Sequence, residues 1–209
     1  MNKADTKEVI KVVGIAGSLR PGSLTREAVR LALAGAAEIG ARTELIDLRE
    51  YDLVFCDGTR SEGERAPDVL KLRQKVREAQ GIILGTPEYH GSFSGALKNA
   101  LDLMSFDEFG GKVVGLVGTS GGAMGAVNAL NSLRLVGRSL HAWVIPLQVS
   151  IAEAWKQFDE QKRLRDDKLA ARVREVGRQV ARFAYLHHSR QAQDFLRLWE
   201  EAPQNPGAE

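Results

Sequence analysis

Short apolar runs alternate along the chain with longer segments in which apolar residues recur every three or four positions. The runs are rich in β-branched residues, as in strands that are buried on both faces of a sheet. They cover residues 9–17, 43–48, 81–87, 112–120 and 141–146. The segments with helical spacing cover residues 25–39, 67–80, 94–105 and 126–140. This alternation predicts a three-layer α/β sandwich, with helices on both faces of a five-stranded parallel sheet.

The remaining segments have a different character. Residues 49–66 are polar and contain glycines, which predicts a long loop. From about residue 152 to residue 200, apolar residues at three- and four-residue steps predict an amphipathic helix that packs on the sheet or on a partner subunit. We therefore expect a ligand-binding domain at 1–150, a helical extension of the same domain at 151–200 and a flexible tail at 201–209.

The composition excludes several classes of protein. The net charge of +2 gives no indication of a nucleic-acid partner. No apolar run approaches the roughly 20 residues needed to cross a bilayer, and the polar residues 1–8 do not resemble a signal peptide. We expect a cytoplasmic protein without membrane insertion. Cys56, the only cysteine, is interpreted as a bystander thiol, and no metal site is expected at His187 and His188, which have no carboxylate at ligand spacing.

Three loops follow predicted strands and are rich in glycine and small polar residues: 18–23, 87–94 and 119–125. In parallel sheets, ligands bind outside the carboxyl ends of the strands, near the switch in strand order. The three loops therefore predict one composite site.

The first loop, "GIAGSLRPGS" at residues 14–23, has the composition of a phosphate cradle. Its glycines allow a close approach to the backbone, its hydroxyls and the helix start that follows donate hydrogen bonds, and Arg20 adds a forked cation. Neither the P-loop pattern nor the GxGxxG dinucleotide fingerprint is present. The alternative is an ordinary strand-to-helix turn with Ser23 or Thr25 as the N-cap and with Arg20 in solvent.

The second loop and the start of the helical segment that follows it read "PEYHGSFSGALKNALD", residues 87–102. Together with "GSLRPGS", this stretch resembles the NADPH-dependent FMN reductases, a flavodoxin-like family that includes bacterial quinone, chromate and azo-dye reductases. The resemblance covers residues 12 to about 146. It implies a flavodoxin-like sandwich with strand order 2-1-3-4-5, FMN as cofactor and NADPH or NADH as co-substrate.

The resemblance also implies roles for particular residues. The FMN phosphate would be held by Ser18, Arg20, Ser23, Leu24 and Thr25. The isoalloxazine ring and ribityl chain would be held by Pro87, Glu88, Tyr89, His90 and Gly91, with Ser120, Gly121 and Gly122 as further neighbours of the ring. For Glu88 we expect contact through the backbone, since its carboxylate could instead cap a turn. Many relatives carry asparagine where this chain has His90, although histidine also occurs there. His90 is a structural histidine, a proton donor or a wall of the nicotinamide pocket.

The activity implied by the resemblance is hydride transfer from NAD(P)H to the flavin and then to a small acceptor such as a quinone, in a ping-pong scheme without a side-chain nucleophile. Chromate, azo dyes and ferric complexes are further acceptors to consider. Arg20, Arg60 and Arg65 are candidates for the extra phosphate of NADPH. The family further implies a homodimer or homotetramer. Three alternatives are a reductase that releases reduced FMN, a flavodoxin-like electron-transfer module and a regulatory protein on the same fold.

Overall fold

The computed structural model describes residues 8–58 and 66–202, and Arg60 and Arg65 lie outside these ranges. Five parallel strands form the sheet: β1 Lys11–Ala16, β2 Arg42–Asp47, β3 Gly81–Tyr89, β5 Val113–Thr119 and β6 Trp143–Ile151. Their order is β2-β1-β3-β5-β6, which confirms the predicted order of the five parallel strands. A two-residue strand, β4 Ser92–Phe93, adds an antiparallel partner to the end of β3.

Helices cover both faces of the sheet, because alternate residues of each strand point to opposite sides. On one face lie α1 Leu24–Glu38 and α7 Asp167–His188. On the other face lie α2 Pro67–Arg77, α3 Gly95–Asp102 and α5 Val127–Ser139. Each face therefore has its own apolar core, and the predicted three-layer sandwich is confirmed.

The helices α1 and α7 contact each other at glycines. A Cβ on Gly35 would meet the backbone carbonyl of Arg174, and a Cβ on Gly177 would meet that of Ala32. Only glycine permits so close a backbone contact. Ion pairs of Arg174 and Arg178 with Glu38 lie beside this crossing. Helix α7 is consequently part of one helical layer of the sandwich.

The last strand extends beyond its predicted end. The sequence predicts a strand that stops at Pro146, whereas β6 continues to Ile151. The pairing of β5 with β6 shifts register between Val114 and Leu116, opposite the segment that contains Pro146. A bulge on an edge strand tolerates a proline, since no ladder hydrogen bond from its nitrogen is required. Strand β6 therefore continues past the bulge to Ile151, level with the carboxyl end of β5.

The single amphipathic helix predicted across 152–200 is wrong, because the structure has three helices there. They are α6 Ala154–Gln157, α7 and α8 Arg190–Glu200. A short hairpin, closed by a bridge between Phe158 and Leu164, separates the first two. Asp166 and Ser189 act as N-caps that start new helices.

Two short helical elements lie between the longer ones. Asp47 caps a 3₁₀ turn, Leu48–Glu50, at the start of the loop predicted for 49–66, and a short helix, α4 Phe106–Phe109, follows α3. Within the described residues, no helix combines the length and apolarity that a membrane crossing requires.

Candidate functional site

A cavity of about 510 Å³ lies at the carboxyl ends of the central strands, where the three glycine-containing loops meet. Most of the predicted site residues line it. These are Ser18, Arg20, Ser23, Leu24, Thr25, Pro87, Glu88, Tyr89, Ser120 and Gly121. The cavity is completed by five residues without an individual predicted role: Pro21, Gly22 and Thr119, which lie in the predicted loops, and Ala154 and Trp155, which lie outside them. Three predicted residues, His90, Gly91 and Gly122, are not among those that line the cavity.

The first loop presents unpaired backbone donors to the cavity. Within the described chain, the N–H groups of Ser18, Gly22 and Ser23 have no hydrogen-bond partner. Ser18 and Ser23 are buried and line the same cavity. Gly22 adopts a φ of +69°, a conformation that side-chain-bearing residues rarely take. This arrangement is an anion-binding concavity at a helix start.

Ser23 has a second role. Its side chain accepts a hydrogen bond from the backbone N–H of Arg26 at 3.2 Å and so caps α1. The alternative interpretation of this loop is therefore partly right, since the residue is both an N-cap and a cavity residue. Arg20 is exposed at the cavity rim and forms no ion pair with any residue that the structure describes.

Ser94 joins the first loop to the second. Its hydroxyl donates to the carbonyl of Gly17 and accepts from the backbone N–H of Leu97, which starts α3. The backbone of Gly17 in turn donates to the carbonyl of Gly85 at 2.8 Å. A Cβ on Gly17 would lie 2.7 Å from the Cβ of Leu97. The phosphate-type loop is thus fixed against the neighbouring strand and helix.

The floor of the cavity contains a buried hydroxyl pair. Thr25 Oγ1 and Thr119 Oγ1 are 2.6 Å apart, and both residues are buried. The first belongs to α1 and the second to the end of β5. The pair therefore fixes the anion-binding helix start relative to the third loop.

The second loop is a tight hairpin rather than an open turn. Tyr89 pairs with Ser92 across the β3–β4 ladder, which leaves only His90 and Gly91 as the connecting residues. Their φ values are +51° and +77°, the left-handed pair that a two-residue type I′ turn requires. His90 and Gly91 form the tip of this hairpin, next to the cavity residue Tyr89, and their contact with the ring stays a prediction.

Glu88 contacts the protein through its carboxylate. Its Oε2 accepts a hydrogen bond of 3.0 Å from the backbone N–H of Ala129, in the first turn of α5. An anionic acceptor at a helix N-terminus stabilises the helix, because it pairs with a backbone N–H that has no partner within the helix and is attracted by the positive end of the helix dipole. The carboxylate thus holds a helix in place, while contact of the Glu88 backbone with a ligand stays a prediction.

Trp155, an aromatic residue of α6, packs against the third loop and lines the cavity. The backbone N–H of Ala154 donates to the carbonyl of Ser120 at 2.8 Å, which places α6 against the loop. The indole N–H of Trp155 donates to the carbonyl of Gly121 at 3.3 Å. Trp155 was missed because its segment was interpreted as part of a helical extension. The available signal was a tryptophan a few residues beyond the last strand, at the edge where ligands bind.

The cavity mouth is flanked by two exposed aromatic side chains. Tyr89 and Trp155 keep 43% and 65% of their surface accessible. The ammonium nitrogen of Lys156 lies over the Trp155 ring, 4.9 Å from its centroid. Within the described ranges, no three His, Cys, Asp or Glu side chains form a group that could hold a metal ion. The site combines an anion-binding end with an open end bordered by flat aromatic surfaces.

Comparison with solved structures shows that this architecture is flavodoxin-like. The fold matches a flavoenzyme NAD(P)H:(acceptor) oxidoreductase of Paracoccus denitrificans with a TM-score of 0.71, at 24% identity, over 86% of this chain and 99% of that one. It also matches an archaeal flavodoxin with a TM-score of 0.60, at 14% identity, over 84% of this chain and 99% of that one. At these identities the matches show the fold alone.

The sequence relatives define the family. Residues 10–156 match the model of the NADPH-dependent FMN reductases. A NAD(P)H-dependent FMN reductase of Pseudomonas aeruginosa is 36% identical over 168 residues, which cover 76% of this chain and 86% of the relative. An FMN-dependent NADPH-azoreductase of Staphylococcus saprophyticus is 35% identical over 150 residues, covering 70% and 79%. The chain belongs to the NADPH-dependent FMN reductase family, and the predicted cofactor FMN and co-substrate NAD(P)H are confirmed at the level of this family.

The residues present fit FMN. The free amides and buried hydroxyls of the first loop suit a phosphate, and the cavity extends from them to the aromatic mouth. Gly121 has no atom within 4 Å of the position of an added Cβ, so the third loop leaves open space beside the mouth.

Proposed function

We propose that the protein is an FMN-dependent NAD(P)H oxidoreductase that reduces small planar acceptors such as quinones and azo dyes. One observation carries the proposal: a single cavity joins an anion-binding loop to a mouth bordered by Tyr89 and Trp155. When bound, FMN supplies the redox chemistry, accepting hydride from NAD(P)H and passing electrons to the acceptor. The chain supplies binding, orientation and electrostatics.

The first task of the chain is to hold the phosphate end of the cofactor. The amides of Ser18, Gly22 and Ser23 donate to its oxygens, assisted by the Ser18 and Ser23 hydroxyls. Arg20 at the rim adds a charge-assisted contact. Because Ser94 ties this loop to the second loop, binding at one end of the cavity orients the other end.

The second task is to position the ring and stabilise charge on it. The backbone of residues 87–89 borders one edge of the cavity and the 120–121 loop borders the other. Donors held in place before reaction stabilise developing negative charge without reorganisation. No residue has to act as nucleophile or general base, and this assigns His90 a structural role in its turn.

The acceptor preference follows from the mouth. Tyr89 and Trp155 offer accessible aromatic faces, which favour flat, conjugated molecules through offset stacking. The FMN-dependent NADPH-azoreductases among the sequence relatives support the same class of acceptor. Compact inorganic oxidants such as chromate would gain nothing from these faces.

We further propose that the protein is a homo-oligomer. The helix α8 has no buried residue, and Phe195, Leu198 and Trp199 on it are exposed. A second copy of the chain would cover this apolar surface, as exposed apolar patches commonly mark interfaces. Light scattering after size-exclusion chromatography measures the mass, and a single mass of one chain at micromolar concentration would exclude the oligomer.

An absorbance spectrum of the purified protein, followed by anaerobic addition of NADPH and then NADH, tests the activity. Flavin bands that bleach with either nucleotide and recover on addition of a quinone or an azo dye support the proposal. Bands that neither nucleotide bleaches would indicate an electron-transfer module. Loss of the flavin on filtration after reduction would indicate a reductase that releases its product, and a protein that binds no added FMN would refute the proposal.

A further inference from the structure

A lysine from the C-terminal segment reaches the anion-binding loop. Lys162 lies at the tip of the hairpin that joins α6 to α7, with a φ of +60°. Its backbone N–H donates to the carbonyl of Asp159 at 2.9 Å, and the Phe158–Leu164 bridge closes the hairpin. Phe158 is buried in the core at one end of this turn. The hairpin therefore fixes the backbone position of Lys162.

The ammonium group of Lys162 lies against Gly22. It is 3.3 Å from the position that a Cβ on Gly22 would occupy. Gly22 lines the cavity, whereas Lys162 lines a neighbouring groove of about 930 Å³. The Lys162 side chain thus lies between the groove and the 18–23 loop.

Lys162 has no counterion among the residues that the structure describes. The acid of its own turn, Asp159, pairs with Arg163 at 2.9 Å. In the groove, Glu27 is engaged by Arg26 at 3.6 Å and by Arg30 at 3.9 Å. A cation held beside unpaired amides raises the local positive potential at the loop.

We propose that Lys162 is a phosphate-binding residue, which supplies to the 18–23 loop a second cation in addition to Arg20. The ligand chemistry is a phosphate monoester dianion. This inference rests on the proposed function, in which the loop holds the phosphate of FMN. The 2′-phosphate of NADPH has the same chemistry and is the second source that the experiment distinguishes.

The test compares Lys162→Met with Lys168→Met, a control that removes the same charge from an exposed position on the same segment. Apoprotein of each variant and of the wild type is titrated with FMN, with riboflavin, which lacks the phosphate, and with inorganic phosphate. We expect Lys162→Met to bind FMN roughly tenfold more weakly, while riboflavin affinity stays unchanged, because one charge-assisted contact is lost. Lys162→Arg should retain most of the FMN affinity.

The second arm measures KM for NADPH and for NADH with FMN-loaded protein. A rise for NADPH alone, with FMN affinity intact, would support Lys162 as a ligand of the 2′-phosphate instead. Affinities equal to those of Lys168→Met in both arms, or an equal loss for riboflavin, would overturn the inference. A wild-type protein that bound no FMN would refute the proposed function instead. In that case the titration with inorganic phosphate tests Lys162, and equal phosphate affinities of Lys162→Met and Lys168→Met would overturn the inference.

Discussion

Thr25 and Thr119 share a buried hydrogen bond of 2.6 Å, although 94 positions separate them in sequence. The pair joins the start of α1 to the end of β5 beneath the cavity. Two of the three loops that form the site are thereby held at a fixed separation, independently of any ligand.

Thr119→Val leaves the hydroxyl of Thr25 buried without its partner. We expect a loss of about 1–3 kcal/mol in the free energy of unfolding, because an unsatisfied buried hydroxyl keeps its desolvation cost. Urea titration measures this loss. The double variant Thr25→Val/Thr119→Val should lose less than the sum of the two single variants. Strict additivity would show that the two hydroxyls do not interact.

Glu88→Ala removes the acceptor at the first turn of α5. We expect the free energy of unfolding to fall by about 1 kcal/mol, as for other lost helix caps, and Glu88→Gln to fall by less because an acceptor oxygen remains. The affinity for FMN should change little in Glu88→Gln. A large loss of FMN affinity in that variant, at unchanged stability, would show that the carboxylate contacts the cofactor directly.

His90→Asn should stabilise the protein by a few tenths of a kcal/mol, since asparagine tolerates the left-handed φ of +51° better than histidine does. Thermal unfolding measures the gain. His90→Val, a β-branched residue at the same φ, serves as the contrast and should destabilise. Turnover with NADPH should be the same in His90→Asn as in the wild type, and a pH-dependent loss of turnover would restore a proton-transfer role for this histidine.

Trp155→Leu removes one aromatic face from the cavity mouth. We expect KM for a quinone to rise about fivefold, which corresponds to about 1 kcal/mol of stacking, while KM for ferricyanide stays constant. Trp143→Phe is the matched control, because Trp143 is also exposed but starts β6 at the opposite end of the strand. Quenching of tryptophan fluorescence by added FMN should disappear in Trp155→Leu and persist in Trp143→Phe.

Lys112 provides a pH dependence of stability. Its ammonium donates to the carbonyls of Val76 and Arg77 at the end of α2, and burial lowers its pKa from 10.5 to about 8. The unfolded chain therefore binds more protons between pH 8 and pH 10.5, so this residue makes stability rise with pH across that window, by at most about 3 kcal/mol. Below pH 8 both states carry the proton and the contribution is constant. Urea midpoints from pH 7 to pH 10.5 should show this rise in the wild type and in Lys168→Met, and a flatter profile in Lys112→Met.

The alternation of apolar runs and helical segments was sufficient to predict the sheet, because each strand is buried on both faces and each helix has one apolar face. Local chemistry that competes with periodicity was harder to foresee. The strand that passes through Pro146 depends on a bulge, which is visible only in the pairing with β5. The breaks in the C-terminal helix depend on single capping residues, Asp166 and Ser189, inside a continuous amphipathic pattern.

The same distinction applies to the site. Residues of the first loop follow directly from glycines and hydroxyls at a strand end, and they line the cavity. His90 and Gly91 are adjacent in sequence to cavity residues but form the tip of a hairpin and are not among the residues that line the cavity. Trp155 lines the cavity and Lys162 lies beside Gly22, but both come from a segment predicted as one amphipathic helix, so only the tertiary structure brings them there.

The glycine crossing of α1 and α7 has a consequence for synthesis of the chain. Until residue 188 has left the ribosome, the apolar face of α1 around Ala32 and Gly35 has no helix against it. A nascent chain that already contains all three site loops is therefore still exposed to aggregation and to proteolysis. For the same reason, truncation at residue 150 would keep those loops but remove the layer that α1 packs against, so an expression fragment for biophysical work has to extend through α7.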